Sequence, residues 1–218
     1  MSLIPHRLPQ ELSRRLGESI GSLGVSPNTL TALGLLGTAG AATVAAFGHF
    51  WQAGLIMVAA GAFDLLDGAV ARATGKDSTL GAILDAVADR LAEFAMLIGL
   101  LAWFTAPERF NREATILIAV TISGSMLVSY TRSKAGEYGV RIREGFGTRF
   151  ERVVILAIGL FANEVVAVLW ILAVLTNVTA LQRLGLTWWA LRDEGSARDA
   201  DSGPDDESEP ESERPSQI

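Results

Sequence analysis

Cysteine is absent from all 218 residues, lysine occurs only twice against sixteen arginines, and aromatic residues make up 7%. The missing cysteine excludes a disulfide-stapled scaffold and any cysteine-ligated metal. Charge is scarce as well, at 19%, and it is unevenly spread. Residues 193–218 hold ten acids and two bases, a net of −8, whereas residues 1–192 hold 14 acids and 16 bases, a net of +2. The acidic pI of about 5.0 therefore belongs to the tail and says nothing about a substrate. That tail is rich in Asp, Glu, Ser and Pro with almost nothing apolar, which predicts disorder. Without it, the body is too apolar for a soluble domain of its size.

Six apolar stretches, near 28–48, 52–74, 79–104, 113–136, 147–163 and 165–190, approach the roughly 20 residues needed to cross ~30 Å of hydrocarbon. The fifth is the shortest. Residues 8–23 mix Leu and Ile with Glu11, Arg14, Arg15 and Glu18 at helical spacing, as an amphipathic helix on a membrane surface does. The expected fold is thus an all-α integral membrane protein, six transmembrane helices preceded by an N-terminal interfacial helix. It divides into a membrane domain over 1–192 and an acidic disordered tail over 193–218. Six spans place both termini on one side. Fifteen Lys and Arg fall on that side, against Arg109 and Arg112 on the other, so the termini are expected in the cytoplasm of a multi-pass cell-membrane protein.

Carboxylates are costly at membrane depth and are rare there without a function. Here the second and third stretches hold four: Asp64 and Asp67 at i, i+3, and Asp85 and Asp89 at i, i+4. Each pair shares one helix face. The short polar link around 73–78 makes the two helices antiparallel neighbours, so all four aspartates lie at the cytoplasmic end. Arg72 and Arg90 are the only cations near them in the chain and cannot balance them. A divalent cation, two of them by charge, is the natural remedy, and donors that are all oxygen favour Mg²⁺ or Mn²⁺. The competing readings are a proton or cation pathway and plain interhelical ion pairs. A transporter predicts acids spread along a path, often with internal repeats, and neither is visible here.

The run Asp64-x-x-Asp67-Gly68-x-x-Ala71-Arg72, followed after eight residues by Gly81-x-x-x-Asp85-x-x-x-Asp89, places eight fixed positions in 26 residues. It resembles the signature of the CDP-alcohol phosphatidyltransferases, and Pro27-Asn28-x-x-Thr31 resembles a further family element. The resemblance implies attack by an acceptor hydroxyl on the lipid-side phosphorus of a CDP-linked lipid, with CMP leaving. It implies that Asp64, Asp67 and Asp85 hold two metals, with Asp89 near them and acting as general base. Gly68, Ala71, Arg72 and Gly81, with Asn28 and Thr31, would border the cytidine and diphosphate of the donor, CDP-diacylglycerol or CDP-archaeol.

A second polar region suggests the acceptor. Arg132, Lys134, Arg149 and Arg152 make residues 129–152 more basic than topology needs, which suits an acceptor bearing its own phosphate. Ser129-Tyr130-Thr131-Arg132-Ser133-Lys134 and Arg149-Phe150-Glu151-Arg152 resemble the segments that hold inositol 1-phosphate in the phosphatidylinositol-phosphate synthase branch of that family. The resemblance assigns acceptor phosphate binding to Ser129, Arg132, Lys134 and Arg152, and further out to Arg192. Phe150 stands where the branch has Pro, and Gly136 where an acid is common. Glycerol 3-phosphate is the alternative acceptor. A homodimer in a lipid membrane is expected, with no nucleic-acid partner.

Overall fold

The computed structural model describes residues 10–22, 24–75, 78–140 and 147–201, and all regular structure in them is helical. The helices are α1 (Gln10–Ser22), α2 (Pro27–Ala46), α3 (Phe50–Thr74), α4 (Thr79–Thr105), α5 (Arg112–Glu137), α6 (Arg149–Ala162) and α7 (Val165–Asp201), with a 3-10 turn at Pro107–Arg109. Short polar side chains start most of them. Ser26, Ser78 and Asn111 each accept a hydrogen bond from the backbone N–H three residues on, satisfying an otherwise orphaned donor.

α2, α3, α5 and α7 up to Arg192 are long and apolar enough to cross a membrane, which makes the chain a multi-pass membrane protein. α4 is long enough at 27 residues, but Asp85, Asp89, Arg90 and Glu93 crowd the span from its seventh to its fifteenth residue. α6 has 14 residues, about 21 Å of helix, and is short of a full crossing by itself.

α2 packs on α3 and α4, α5 on α7, and α6 closes the bundle against α3 and α7. The core is built from small and medium side chains, among them Ala41, Ala45, Ala53, Met96, Leu100, Ile118, Leu160 and Leu169. Small residues let the helix backbones approach closely. At Gly124 of α5 an added Cβ would press into Thr176 and Asn177 of α7. Large apolar side chains such as Leu36, Ile98, Trp170 and Leu181 face outward, as lipid contact requires.

α1 packs against α3. Its exposed face carries Arg14 paired with Glu11 and Glu18, and Arg15 paired with Glu11. The Arg14 and Arg15 guanidiniums hold Glu11 below the usual carboxylate range. At the other end, α7 continues to Asp201. Residues 193–201, expected as part of a disordered tail, are therefore helical, because Trp188 to Arg198 contain no Pro and no run of like charge to stop the helix. The rest of the expected tail, 202–218, lies outside the described residues.

Candidate active site

α2 packs on both α3 and α4, and the polar ends of α3 and α4 meet through their aspartates rather than through close backbone packing. The i, i+3 spacing of Asp64 and Asp67 and the position of Asp85 nearly two turns into α4 bring one oxygen from each of the three to within 4.8 Å of the others. Asp67 is buried, and Thr31 of α2 donates to its Oδ2 at 2.6 Å. This all-oxygen set, half-buried and acidic, fits a hard divalent cation, which neutralises carboxylates that would otherwise repel one another.

Asp89 is placed differently from these three. Its Oδ1 lies 2.7 Å from Nη1 of Arg149, and its Oδ2 is 3.3 Å from Nη1 of Arg90. The same Nη1 of Arg149 also donates to Asp64. So Arg72 and Arg90 are not the only cations beside the acids: α6 delivers a third, from 85 positions away in the chain, and it bridges two of them.

The residues assigned to the donor nucleotide gather at one edge of the trio. Arg72 folds back so that its Nη1 would stand 3.2 Å from a Cβ on Gly68, and Asn28 Oδ1 would stand 3.8 Å from one on Gly81. Ala71 lies one turn beyond Asp67 on α3.

The residues assigned to the acceptor are only partly together. Ser129 of α5 accepts a hydrogen bond from Arg90 Nε at 2.9 Å. Arg152 is buried and holds Glu93 at two points, Nε to Oε1 at 2.7 Å and Nη2 to Oε2 at 2.9 Å, while its Nη1 donates to the Gly147 carbonyl at 2.7 Å. Lys134 turns along its own helix to pair with Glu137. Arg192 is exposed with its guanidinium over the Trp188 ring, 5.4 Å from the centroid. The arginine of α7 that belongs to the cluster is Arg183, nine residues and roughly 14 Å of helix earlier. It is buried, donates to the Val128 carbonyl at 3.0 Å, and lies in the field of Arg132, Arg152 and Arg90. Its signal in the sequence was an arginine inside an otherwise apolar span, a feature that marks function more often than topology.

Arg152 sits on a rigid mount. Gly147 has φ +77, which a side chain resists, and a Cβ there would meet Leu175 and Thr179. Thr148 and Glu151 form a reciprocal capping box, and Glu151 also accepts from Gly147 N at 3.0 Å.

Beside the acids opens a cavity of about 630 Å³, with Asp64, Asp89, Glu93, Arg149 and Arg152 at its polar end. Val58, Ile158 and Phe161 also line it and are exposed on the outer surface, so its apolar part reaches the lipid-facing side between α3 and α6. A headgroup with charged phosphates and a hydrocarbon chain would match the two ends.

Known proteins are similar to this chain in sequence and in fold. The family model for CDP-alcohol phosphatidyltransferase matches residues 24–191. The chain is 35% identical over 194 residues to the archaetidylinositol phosphate synthase of Pyrococcus horikoshii, covering 84% of this chain and 94% of that protein. It is 32% identical over 176 residues to the phosphatidylinositol phosphate synthase of Mycobacterium tuberculosis, covering 76% and 81%. A crystal structure of the Mycobacterium tuberculosis phosphatidylinositol phosphate synthase with CDP-DAG bound superposes with a TM-score of 0.74 at 28% identity, over 82% of this chain and 94% of that one. The crystal structure in complex with manganese and citrate gives the same TM-score and identity, over 81% and 88%. With its signature aspartates gathered as a cation requires and the match spanning most of its length, the chain belongs to the CDP-alcohol phosphatidyltransferase family of enzymes.

Proposed function

We propose that the protein transfers the phosphatidyl or archaetidyl group of a CDP-lipid to inositol 1-phosphate and releases CMP. The observation that carries this reading is the meeting of the Asp64, Asp67 and Asp85 carboxylates with the arginine cluster on one side and the lipid-facing cavity on the other. The inositol-phosphate products named for the relatives support the acceptor.

Asp64, Asp67 and Asp85, with Asp89 beside them, would hold two Mg²⁺ or Mn²⁺ ions. Ions bound there neutralise the diphosphate and lower the pKa of a nearby hydroxyl. Asn28, Thr31, Gly68, Ala71, Arg72 and Gly81 border the nucleotide. Arg132, Arg152 and Arg183, with Ser129, hold the acceptor phosphate, and the reacting hydroxyl faces Asp89. The Oδ2 of Asp89, which among the described residues has a long 3.3 Å contact to Arg90, takes the hydroxyl proton. The acceptor oxygen bonds to the lipid-side phosphorus as the bond to the CMP oxygen breaks. Positioning and electrostatics supply most of the rate.

In this reading α4 and α6 complete a six-helix membrane body, α1 lies at the interface, and both termini and the site face the cytoplasm. A homodimer is the proposed working unit.

The test is CMP release by the purified protein with Mg²⁺ and CDP-diacylglycerol or CDP-archaeol, offering inositol 1-phosphate, glycerol 3-phosphate, free inositol and serine separately. Release with inositol 1-phosphate alone, stopped by EDTA and restored by Mg²⁺ or Mn²⁺, is expected. Release with glycerol 3-phosphate instead would keep the metal site and overturn the acceptor.

A further inference from the structure

Resting on the phosphorylated-acceptor reading above, we propose that Glu93 is a positioning residue for that acceptor, acting through Arg152. Glu93 stands on α4 one turn beyond Asp89. Its side chain is 9% exposed and that of Arg152 is 5% exposed, so the pair is shielded from water. Two-point pairing of a guanidinium with a carboxylate fixes the plane of both groups.

A guanidinium carries five N–H groups. In Arg152 two go to Glu93 and one to the Gly147 carbonyl. One N–H remains on each terminal nitrogen, and together they suit two oxygens of one phosphate. Glu93 therefore decides which edge of Arg152 is left for a ligand.

The path of the pair separates it from a packing staple. α4 and α6 have few close backbone approaches. The cavity lies between them and is lined by both, and the two long side chains reach across its polar end. Electrostatics gives the carboxylate a second task. Arg152 lies close enough to Arg183 to act on it, as do Arg132 and Arg90. Like charges repel strongly where water is excluded. Without the Glu93 carboxylate, Arg152 is pushed from this group toward Asp89 and Asp64, which Arg149 already bridges. The acceptor site would lose its fixed donor while the nucleotide edge, on α2, α3 and the start of α4, stays as it is.

The experiment is a double-mutant cycle on the full-length, metal-loaded protein, with KM for both substrates measured by CMP release. Glu93→Gln is expected to raise the acceptor KM at least tenfold and the CDP-lipid KM less than twofold. In an Arg152→Ala background the same substitution should change the acceptor KM less than twofold, because the two-point pair through which it acts on the acceptor is gone. Glu93→Asp, which keeps the charge but is one methylene short, should fall between wild type and Glu93→Gln. If Glu93→Gln fails to fold, Glu93→Asp with and without Arg152→Ala carries the same cycle. Equal rises in both KM values, or effects of the two substitutions that multiply, would overturn the proposal and leave a structural pair. A wild-type enzyme that turns over inositol 1-phosphate while the cycle is multiplicative sinks only the role of Glu93. A wild-type enzyme that uses no phosphorylated acceptor sinks the acceptor reading itself.

Discussion

Arg149 shows how much one side chain can reorganise a site. Four aspartates on two neighbouring helices look unbalanced in the sequence, yet the guanidinium of Arg149 reaches Asp64 and Asp89 from the third helix of the site. It leaves Asp67 and Asp85 with less counter-charge, so the trio keeps the negative charge that a cation would neutralise, and Asp89 is paired to one side of it. Arg149→Ala should destabilise the metal-free protein by up to about 3 kcal/mol, since removing one partner of a shielded pair strands the other. Mn²⁺ should restore much of that loss, which thermal unfolding with and without the ion would read. Asp89→Asn is isosteric and keeps the trio, so it should lower kcat by roughly 10²–10⁴-fold with little change in CDP-lipid binding. Near-normal turnover of that variant would remove Asp89 from the role of base.

Among the elements, α4 and α6 are the two whose nature the hydropathy pattern blurs. α4 turns Asp89 and Glu93 toward the cavity, Asp85 toward the other aspartates and Arg90 toward Ser129, so a polar composition and a place in the bundle are compatible. α6 is short because its first residues must stand at the polar end of the cavity, where Arg149 and Arg152 are needed. Its start is defended twice, by the capping box and by the left-handed turn at Gly147. Thr148→Ala should cost about 1 kcal/mol through the lost cap. Gly147→Ala should cost more, because strained backbone adds to contact with Leu175 and Thr179. The Gly147 carbonyl holds Arg152, so Gly147→Ala should also raise the acceptor KM more than that of the CDP-lipid. Calorimetry and the CMP assay on the two variants separate these effects.

For the whole molecule, the absence of cysteine turns topology into a direct experiment. Glu18 on α1 is exposed, as are Glu108, Glu137 and Glu164 at helix ends or connections. Single cysteines at Glu18 and Glu137 should resist a membrane-impermeant thiol reagent in intact cells and react after lysis. Those at Glu108 and Glu164 should react in intact cells. The opposite pattern would invert the proposed orientation, and a mixed pattern would change the number of crossings. The cavity has its charged side chains, Asp64, Asp89, Glu93, Arg149 and Arg152, at one end, while its apolar part reaches the lipid-facing side.

The sequence by itself determined the all-helical membrane body, the positions of its helices, the two aspartate pairs and the family, because helical periodicity and the cost of charge in hydrocarbon act over short stretches of chain. Spacing puts Asp64 and Asp67 on one face of α3 and Asp85 and Asp89 on one face of α4, while α2, packed on both helices, brings Asp64, Asp67 and Asp85 together. What only the tertiary structure decided is everything that joins helices distant in sequence: the bridge of Arg149 to Asp64 and Asp89, the reach of Glu93 to Arg152 across 59 positions, and the entry of Arg183 into the arginine cluster where Arg192 had been assigned. Spacing carries no information about these pairs. They are set by which helix faces pack, and small residues such as Gly124, which let two backbones close, make that choice.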